Sequence, residues 1–198
     1  LFDKNRNLFF DARGRYNLSK LGQHFTAGVL RHIKEFTLVT NQWVNSYKRL
    51  VPGYEAPVYI SWGRRNRSSM IRVPMYRVGK EQATRIELRS PDPAANPYLA
   101  FACMLAAGLD GIEKGWELPD PVEENIFNMT SETKAGLKID TLPNSLENAV
   151  NEFEQSEFAR ETLGAHIFEK LIANKRIEWD RYRIHVSQFE TDKYLPML

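Results

Sequence analysis

The longest apolar run of the chain, residues 98–109, constrains its fold more than any other feature. A helix that crosses a membrane needs about 20 apolar residues, so this run is too short to span one. Asn96 suits the N-cap position and Pro97 the first helical position. The pattern therefore predicts a buried helix over residues 98–112 and no membrane segment.

Periodic patterns indicate helices on both sides of this run. From Leu18 to Trp43, apolar residues recur every three or four positions, which predicts a long amphipathic helix that ends before Pro52-Gly53. Gly28 would weaken that helix unless another backbone packs closely against it. The helical pattern returns from residue 145, breaks at Gly164 and continues over 166–186, after an irregular stretch at 115–144.

Strand signals lie mainly between these helices. Segments rich in β-branched and aromatic residues predict strands at 58–62, 70–73 and 83–89, with a further short strand at Phe9-Phe10. Helices and strands do not alternate regularly, so a doubly wound parallel sheet is not expected. The predicted fold class is α+β, a small antiparallel sheet flanked by helices. We treat residues 1–198 as one region.

Overall charge excludes some classes of partner. The chain has 27 Lys and Arg against 25 Asp and Glu, a net charge of +2, which argues against a surface built for nucleic acid or anionic lipid. One cysteine, Cys103, cannot form an internal disulfide, so we predict a reducing, cytoplasmic location. The chain begins without Met or a signal peptide, and we expect it to be a fragment.

Positive charge is concentrated in one part of the chain. Residues 49–89 contain eight arginines and one lysine against three glutamates, a local net charge of +6. The guanidinium group is planar and suits phosphate and carboxylate ligands. A basic edge or a nucleic-acid patch would show the same composition, so composition alone leaves both interpretations open.

Two glutamates within this basic segment are candidate functional groups. On a strand, Arg85, Glu87 and Arg89 would share one face, so Glu87 either completes an Arg–Glu–Arg ladder or offers a carboxylate to a hard cation such as Mg²⁺. Glu55 lies on a short loop bounded by Pro and Gly, where it could close over a cation or accept a proton. The triplet Asn66-Arg67-Ser68 fits a glycosylation sequon, which has no meaning in a cytosolic chain.

Several long motifs, in order, resemble the C-terminal catalytic half of type I glutamine synthetases. They are NSYKRLVPGYEAPV at 45–58, NRS at 66–68, IRVP at 71–74, RIELRSPDPAANPYL at 85–99, AGLDGI at 107–112 and PVEENI at 121–126. The family joins ammonia to the γ-carboxylate of L-glutamate, and ATP first phosphorylates that carboxylate to γ-glutamyl phosphate. The resemblance therefore implies a ligase with glutamate, ammonia and ATP as substrates and Mg²⁺ or Mn²⁺ as cofactor.

The resemblance also implies a role for each matched residue. Arg49, Arg67 and Arg89 would bind glutamate, and Arg67 would also contact phosphate in catalysis. Glu55 would be a catalytic residue that also belongs to the glutamate-binding set, and it would bind ammonium and shield the acyl phosphate from water. Glu87 would be a metal ligand. The residues implied in ATP binding are Arg67, Arg72, Thr84 and Arg85.

Some parts of the family's active site are expected to lie outside this chain. In the family, a β-grasp N-terminal domain and the first part of the catalytic domain, with acidic and histidine metal ligands, precede this region. The active site forms between neighbouring subunits, and two six-membered rings make a dodecamer that apolar C-terminal tails tie together. The resemblance therefore implies that this region alone is inactive.

Two alternatives remain open. Relatives of glutamine synthetase that γ-glutamylate polyamines or other amines share much of the motif set, although the complete Asn-Ser-Tyr-Lys-Arg-Leu run and Glu55 favour ammonia. A basic nucleic-acid-binding module would show salt-dependent DNA or RNA binding. The glutamates among the arginines, and the small number of stacking aromatics, argue against that module.

Overall fold

A computed structural model describes residues 1–54 and 56–197, and it confirms the α+β class. Its helices are α1 (Lys20–Thr40), α2 (Ser46–Arg49), α3 (Pro97–Glu113), α4 (Ser131–Gly136), α5 (Leu146–Glu154), α6 (Glu157–Arg183) and α7 (Gln188–Tyr194). Its strands are β1 (Phe2–Asp3), β2 (Arg6–Asn7), β3 (Tyr59–Gly63), β4 (Ser69–Arg72), β5 (Glu87–Leu88) and β6 (Asp140–Thr141).

The first long helix begins and ends within the limits that the sequence predicts. Ser19 is its N-cap, and its Oγ accepts a hydrogen bond from the Gly22 amide at 3.0 Å. The helix ends at Thr40, before Pro52-Gly53, as predicted. The Thr40 carbonyl accepts a hydrogen bond from the Asp92 amide (2.8 Å), which ties the end of α1 to the loop before α3. The chain then turns and forms the short helix α2.

Close backbone packing joins α1 to α3. A Cβ atom added at Gly28 would lie 2.1 Å from the Ala107 carbonyl oxygen and 2.9 Å from the Gly111 Cα. Only a residue without a side chain allows this approach. The expectation that Gly28 meets another backbone is confirmed.

Only one face of α3 is buried, so the prediction of a buried helix is correct for that face and wrong for the other. Cys103 and Ala107 are fully buried against α1, whereas Tyr98 and Phe101 are 85% and 67% exposed. Leu105 and Leu109 continue the same exposed stripe at helical spacing. The apolar residues of this helix are therefore divided between a face that is buried against α1 and a face that is exposed.

The larger sheet is mixed, with the strand order β5-β4-β3-β6. The β4–β5 and β3–β6 pairs are antiparallel, as predicted, but β3 and β4 run parallel, with Tyr59 opposite Ser69 and Gly63 opposite Arg72. A parallel pair usually needs a crossover of a dozen or more residues. Here residues 64–68 alone return the chain to the start of β3, so contacts from outside the sheet must hold this return loop.

The predicted strand at 83–89 is formed only at Glu87–Leu88. The Asn7 side-chain amide donates hydrogen bonds to the carbonyl oxygens of Glu81, Gln82 and Thr84, at 3.3, 3.2 and 2.8 Å. Because these carbonyls bind a side chain, residues 81–83 curl into a 3₁₀ turn instead of a strand. The predicted strand at Phe9-Phe10 is reduced to one bridge between Phe10 and Leu18.

The C-terminal helices follow the sequence pattern closely. Ser145 caps α5, and α6 is interrupted at Gly164, where φ is +75°. In the core, α1 contacts α3, α5, α6 and β3. In the part of the chain that the structure describes, no helix has both the length and the apolar character to cross a membrane.

Candidate active site

Arginines line a pocket of about 510 Å³ beside β4 and β5. Six guanidinium groups contribute to it, from the return loop, from β4 and from both sides of β5. Positive charge at this density repels itself unless anions occupy the pocket. The lining residues are Arg64, Arg65, Asn66, Arg67, Arg72, Pro74, Met75, Arg85 and Arg89.

Glu87 on β5 is held by two of these arginines. Its Oε2 accepts a hydrogen bond from Arg72 Nε at 2.9 Å and lies 2.8 Å from Arg72 Nη2 in the same ion pair. Its Oε1 accepts hydrogen bonds from Arg85 Nε and Nη2, at 3.1 and 2.8 Å. The sequence predicted a ladder of Arg85, Glu87 and Arg89 on one strand face. The structure places Arg72 in the ladder instead of Arg89, because β4 lies beside β5 and pairs Arg72 with Glu87.

Arg89 contacts the return loop. Its Nη1 donates to the carbonyl oxygens of Arg67 and Ser69, at 2.6 and 3.2 Å. The Arg67 side chain is exposed on the same loop and lines the pocket. The structure thus brings Arg67 and Arg89 together although they are 22 residues apart.

Arg49 lies next to the residue that follows Arg89. It is the last residue of α2, and its Nη1 donates to the Ser90 carbonyl oxygen at 2.9 Å. Arg49 is absent from the lining of the arginine pocket. Its position links the Asn-Ser-Tyr-Lys-Arg segment to the end of β5.

Thr84 lies on the other side of Arg85 and lines a different, more apolar pocket of about 450 Å³ with Leu88 and Met104. Its side chain is buried, and its Oγ1 has no hydrogen-bond partner among residues 1–54 and 56–197. Arg85 borders both pockets. Of the implied ATP-binding residues, Arg67, Arg72 and Arg85 therefore share one pocket, and Thr84 does not.

The predicted flap is the loop of residues 52–56 that carries Glu55, and the structure describes it only in part. Gly53 has a φ of +90°, which marks a turn that favours glycine, and Tyr54 is exposed. Glu55 lies outside the described residues.

Glu87 is a suitable metal ligand, but it does not make a complete metal site by itself. A carboxylate oxygen is the donor that Mg²⁺ prefers, and Mg²⁺ commonly takes its remaining ligands from substrate phosphates and water. In the described part of the chain, no group of three or more His, Cys, Asp or Glu side chains is arranged to hold a metal. The carboxylate and its neighbouring guanidiniums thus fit a metal–phosphate complex to which the described residues contribute Glu87 as a ligand.

Sequence reasoning gave Asn66 no structural role. The structure shows it buried, with its side chain turned toward residues 122–124. Its place immediately before Arg67 could have indicated a structural role, but the Asn-Arg-Ser triplet was interpreted only as a glycosylation sequon.

Comparisons with known proteins identify the family. Residues 1–194 match the family model described as glutamine synthetase, catalytic domain. Proteins named glutamine synthetase from Methanocaldococcus jannaschii and Thermotoga maritima are 55% and 51% identical over 188 and 195 residues, which cover 94% and 98% of this chain. One from Mycobacterium bovis is 48% identical over 197 residues, 100% of the chain.

This chain is shorter than the proteins it resembles. It covers 41% of the M. jannaschii protein and 44% of each of the other two. A solved structure of a GmaS/ADP complex is similar at a TM-score of 0.82 and 36% identity, over 96% of this chain and 43% of that one. The similarity therefore includes all the residues of the arginine pocket but less than half of each relative.

Proposed function

The chain belongs to the glutamine synthetase catalytic-domain family, and on that premise we propose that it takes part in the ATP-dependent ligation of ammonia to the γ-carboxylate of L-glutamate. The product would be L-glutamine, formed through γ-glutamyl phosphate. The observation that carries the proposal is the pocket lined by six arginines, two of which, Arg72 and Arg85, are paired with the carboxylate of Glu87. The similar solved structure is a complex with ADP, which supports an adenine nucleotide as substrate.

The chemistry of phosphoryl transfer explains the arginines. Charge on the transferred phosphoryl group must be stabilised and the reacting oxygens must be positioned. Arg72 and Arg85 would bind ATP phosphates, with Thr84 near the nucleotide, and Arg67 would contact the moving phosphate as well as glutamate. Contact between Arg89 and the Arg67 carbonyl supports this division, because it places a glutamate-binding group beside the phosphate-binding loop.

Glutamate would be held mainly by Arg49 and Arg89. Each guanidinium can bind a carboxylate through two parallel hydrogen bonds. The Arg49 guanidinium bonds to the carbonyl of Ser90, the residue that follows Arg89 in the chain.

We assign Glu87 as the ligand of a Mg²⁺ or Mn²⁺ ion. Such an ion neutralises the charge that develops on the phosphate oxygens. Arg72 and Arg85 hold the Glu87 carboxylate at the edge of the pocket and would turn toward phosphate when the nucleotide binds. Glu55 is assigned to the flap, where its carboxylate would accept a proton from ammonium and shield the acyl phosphate from water.

The proposal extends to the setting of the enzyme. We infer a cytoplasmic enzyme that assembles as a dodecamer, with neither nucleic acid nor membrane as partner. Residues from a preceding region of a longer protein would complete the metal site, and neighbouring subunits would complete the active site. Exposed apolar side chains near the C-terminus, such as Phe189 and Leu195, support the assembly.

Product analysis tests the proposed function. The full-length protein would be incubated with glutamate, Mg²⁺ and ATP, and with either ammonia or putrescine. We expect glutamine and inorganic phosphate in equal amounts with ammonia. Arg89→Ala should abolish product, whereas Arg13→Ala, with a side chain that is 94% exposed, should not. A γ-glutamyl amine formed only with putrescine would assign the amine-ligase alternative instead.

A further inference from the structure

The return loop between β3 and β4 carries three of the pocket arginines and has no helix or strand of its own. It consists of residues 64–68, and it joins two parallel strands that usually need a much longer connection. The position of Arg67 therefore depends on the contacts that hold this loop.

Asn66 makes the most complete set of these contacts. Its Nδ2 donates to the carbonyl oxygens of Val122 and Glu124, at 2.9 and 2.6 Å. Its Oδ1 accepts from the backbone amide and the hydroxyl of Ser68, at 2.9 and 2.5 Å. All four hydrogen-bonding positions of this buried side chain are used.

The opposing segment, residues 121–126, is joined to the loop at further points. The Ile126 amide donates to Ser68 Oγ at 3.0 Å. Glu123 accepts hydrogen bonds from the backbone amides of Arg64 and Arg65, at 2.7 and 3.1 Å. Partial burial alone would raise the pKa of Glu123, but these two amides and the Tyr16 hydroxyl outweigh burial and lower it. The carboxylate is therefore charged at neutral pH.

We propose that Asn66 is a positioning residue for the arginine pocket, because its side chain fixes the return loop to residues 122–124 and so sets the place of Arg67. The inference rests on the proposed function for the identity of the ligand, ATP. Displacement of the loop would also move the Arg67 carbonyl, to which Arg89 is bonded. One amide side chain thus sets the relative position of two of the pocket arginines.

The replacement Asn66→Asp tests this directly. Asp keeps the two acceptor bonds from Ser68 but puts a carboxylate oxygen against the Val122 and Glu124 carbonyls, so the loop must shift. The matched control is Asn125→Asp in the same segment. Asn125 is exposed, and its Oδ1 accepts a hydrogen bond from the Phe127 amide, which Asp can equally accept.

The readouts are Mg·ATP affinity by calorimetry and turnover, measured on the full-length protein. We expect Asn66→Asp to weaken ATP binding and turnover by about tenfold to a hundredfold, as small misplacements of binding groups do. Asn125→Asp should match the wild type. Ile33→Val, in the core far along the chain from the loop, reports the effect of lower stability alone and should leave ATP affinity unchanged.

Ser68→Ala keeps the inference testable if Asn66→Asp does not fold. It removes only the hydroxyl bonds to Asn66 and from Ile126, and it should weaken ATP binding by a smaller factor than Asn66→Asp. Wild-type ATP affinity in both loop variants, or an equal loss in Ile33→Val, would overturn the inference. Absence of ATP binding by the wild type would overturn it as well. A wild type that binds ATP but forms no glutamine would refute the proposed function and leave this inference standing.

Discussion

A buried histidine ties three helices together and should make stability depend on pH. The His32 side chain on α1 is 9% exposed. Its Nδ1 lies 2.7 Å from Glu35 Oε1 and its Nε2 lies 2.9 Å from Asp110 Oδ2 on α3. Both partners are carboxylates, which only accept hydrogen bonds, so the ring carries a proton on each nitrogen.

The pKa values follow from this geometry. Burial alone would lower the pKa of His32, but its bonds to the two carboxylates outweigh burial and raise it above 6.5. The pKa values of Glu35 and Asp110 are lowered, since their bonds to His32 outweigh their own desolvation. Glu35 also accepts from Ser156, the N-cap of α6, at 2.5 Å, and Asp110 accepts from Lys114 at 3.0 Å.

The sign of the pH effect is fixed by these directions. A raised folded-state pKa of His32 gives a contribution to stability that is complete below pH 6.5 and is lost as pH rises through the raised value. The lowered pKa values of Glu35 and Asp110 give a contribution that is present above their ordinary values of 4.5 and 3.8 and is lost as pH falls. The cluster therefore stabilises most strongly in the mildly acidic range between these limits.

The replacement His32→Gln removes the positive charge but leaves one donor. Hydrogen bonds to charged groups contribute about 1.5–3 kcal/mol each, and the carboxylates are partly exposed, so we expect a loss of about 2–3 kcal/mol in unfolding free energy near pH 6. For a chain of this size that corresponds to about 4–12 °C in melting temperature.

The assay is thermal unfolding of the wild type, His32→Gln and the control His166→Gln, followed from about pH 5.5 to about pH 9. His166 is exposed on α6, so its replacement should leave the wild-type pH profile unchanged. The deficit of His32→Gln should shrink as pH rises, because the wild type loses the imidazolium. A deficit of constant size across this range would refute the assignment of a charged His32.

Four further predictions follow from the packing and the site. Gly28→Ala should lower unfolding free energy by about 1–3 kcal/mol or more in a melting experiment, because its Cβ would meet the Ala107 carbonyl. Glu87→Ala in the full-length protein should keep the fold and lose metal-dependent turnover, and full activity at limiting metal would contradict the ligand assignment. Glu55→Ala should impair ammonia use and increase ATP hydrolysis without amide formation, measured as phosphate released per glutamine. Deletion of residues 187–198 should break the proposed dodecamer, and light scattering that still detects a stable dodecamer would refute the role of the tail.

Local patterns in the sequence predicted most of the helices and the glycine packing. Ser19 and Ser145 cap helices where polar residues precede apolar periodicity, and Gly164 interrupts α6 as expected. Hydrophobicity alone could not assign the two faces of α3. It measures how readily a side chain can be buried, whereas burial depends on what packs against that face.

Non-local contacts account for what the sequence could not show. The ladder around Glu87 includes Arg72 and not Arg89 because β4 lies beside β5, and strand order cannot be read from a single strand. The curl at residues 81–83 depends on Asn7, more than 70 positions away. Spacing within a segment therefore predicts which residues can take part in the site. Their hydrogen-bond and ion-pair partners lie in other segments and cannot be predicted from that spacing.

The energetics of the pocket connect the fold to the proposed reaction. Six arginines line the pocket, and among the described residues the Glu87 carboxylate is paired with two of them, Arg72 and Arg85, so the pocket carries unbalanced positive charge, which costs free energy in the absence of an anion. The interface of α1 and α3 and the bonds of Asn66 hold the backbone of this site in place without help from a ligand. Binding of a phosphate-bearing substrate would remove this repulsion. The free protein therefore contains electrostatic repulsion among the pocket arginines, and binding of an anion would relieve that repulsion.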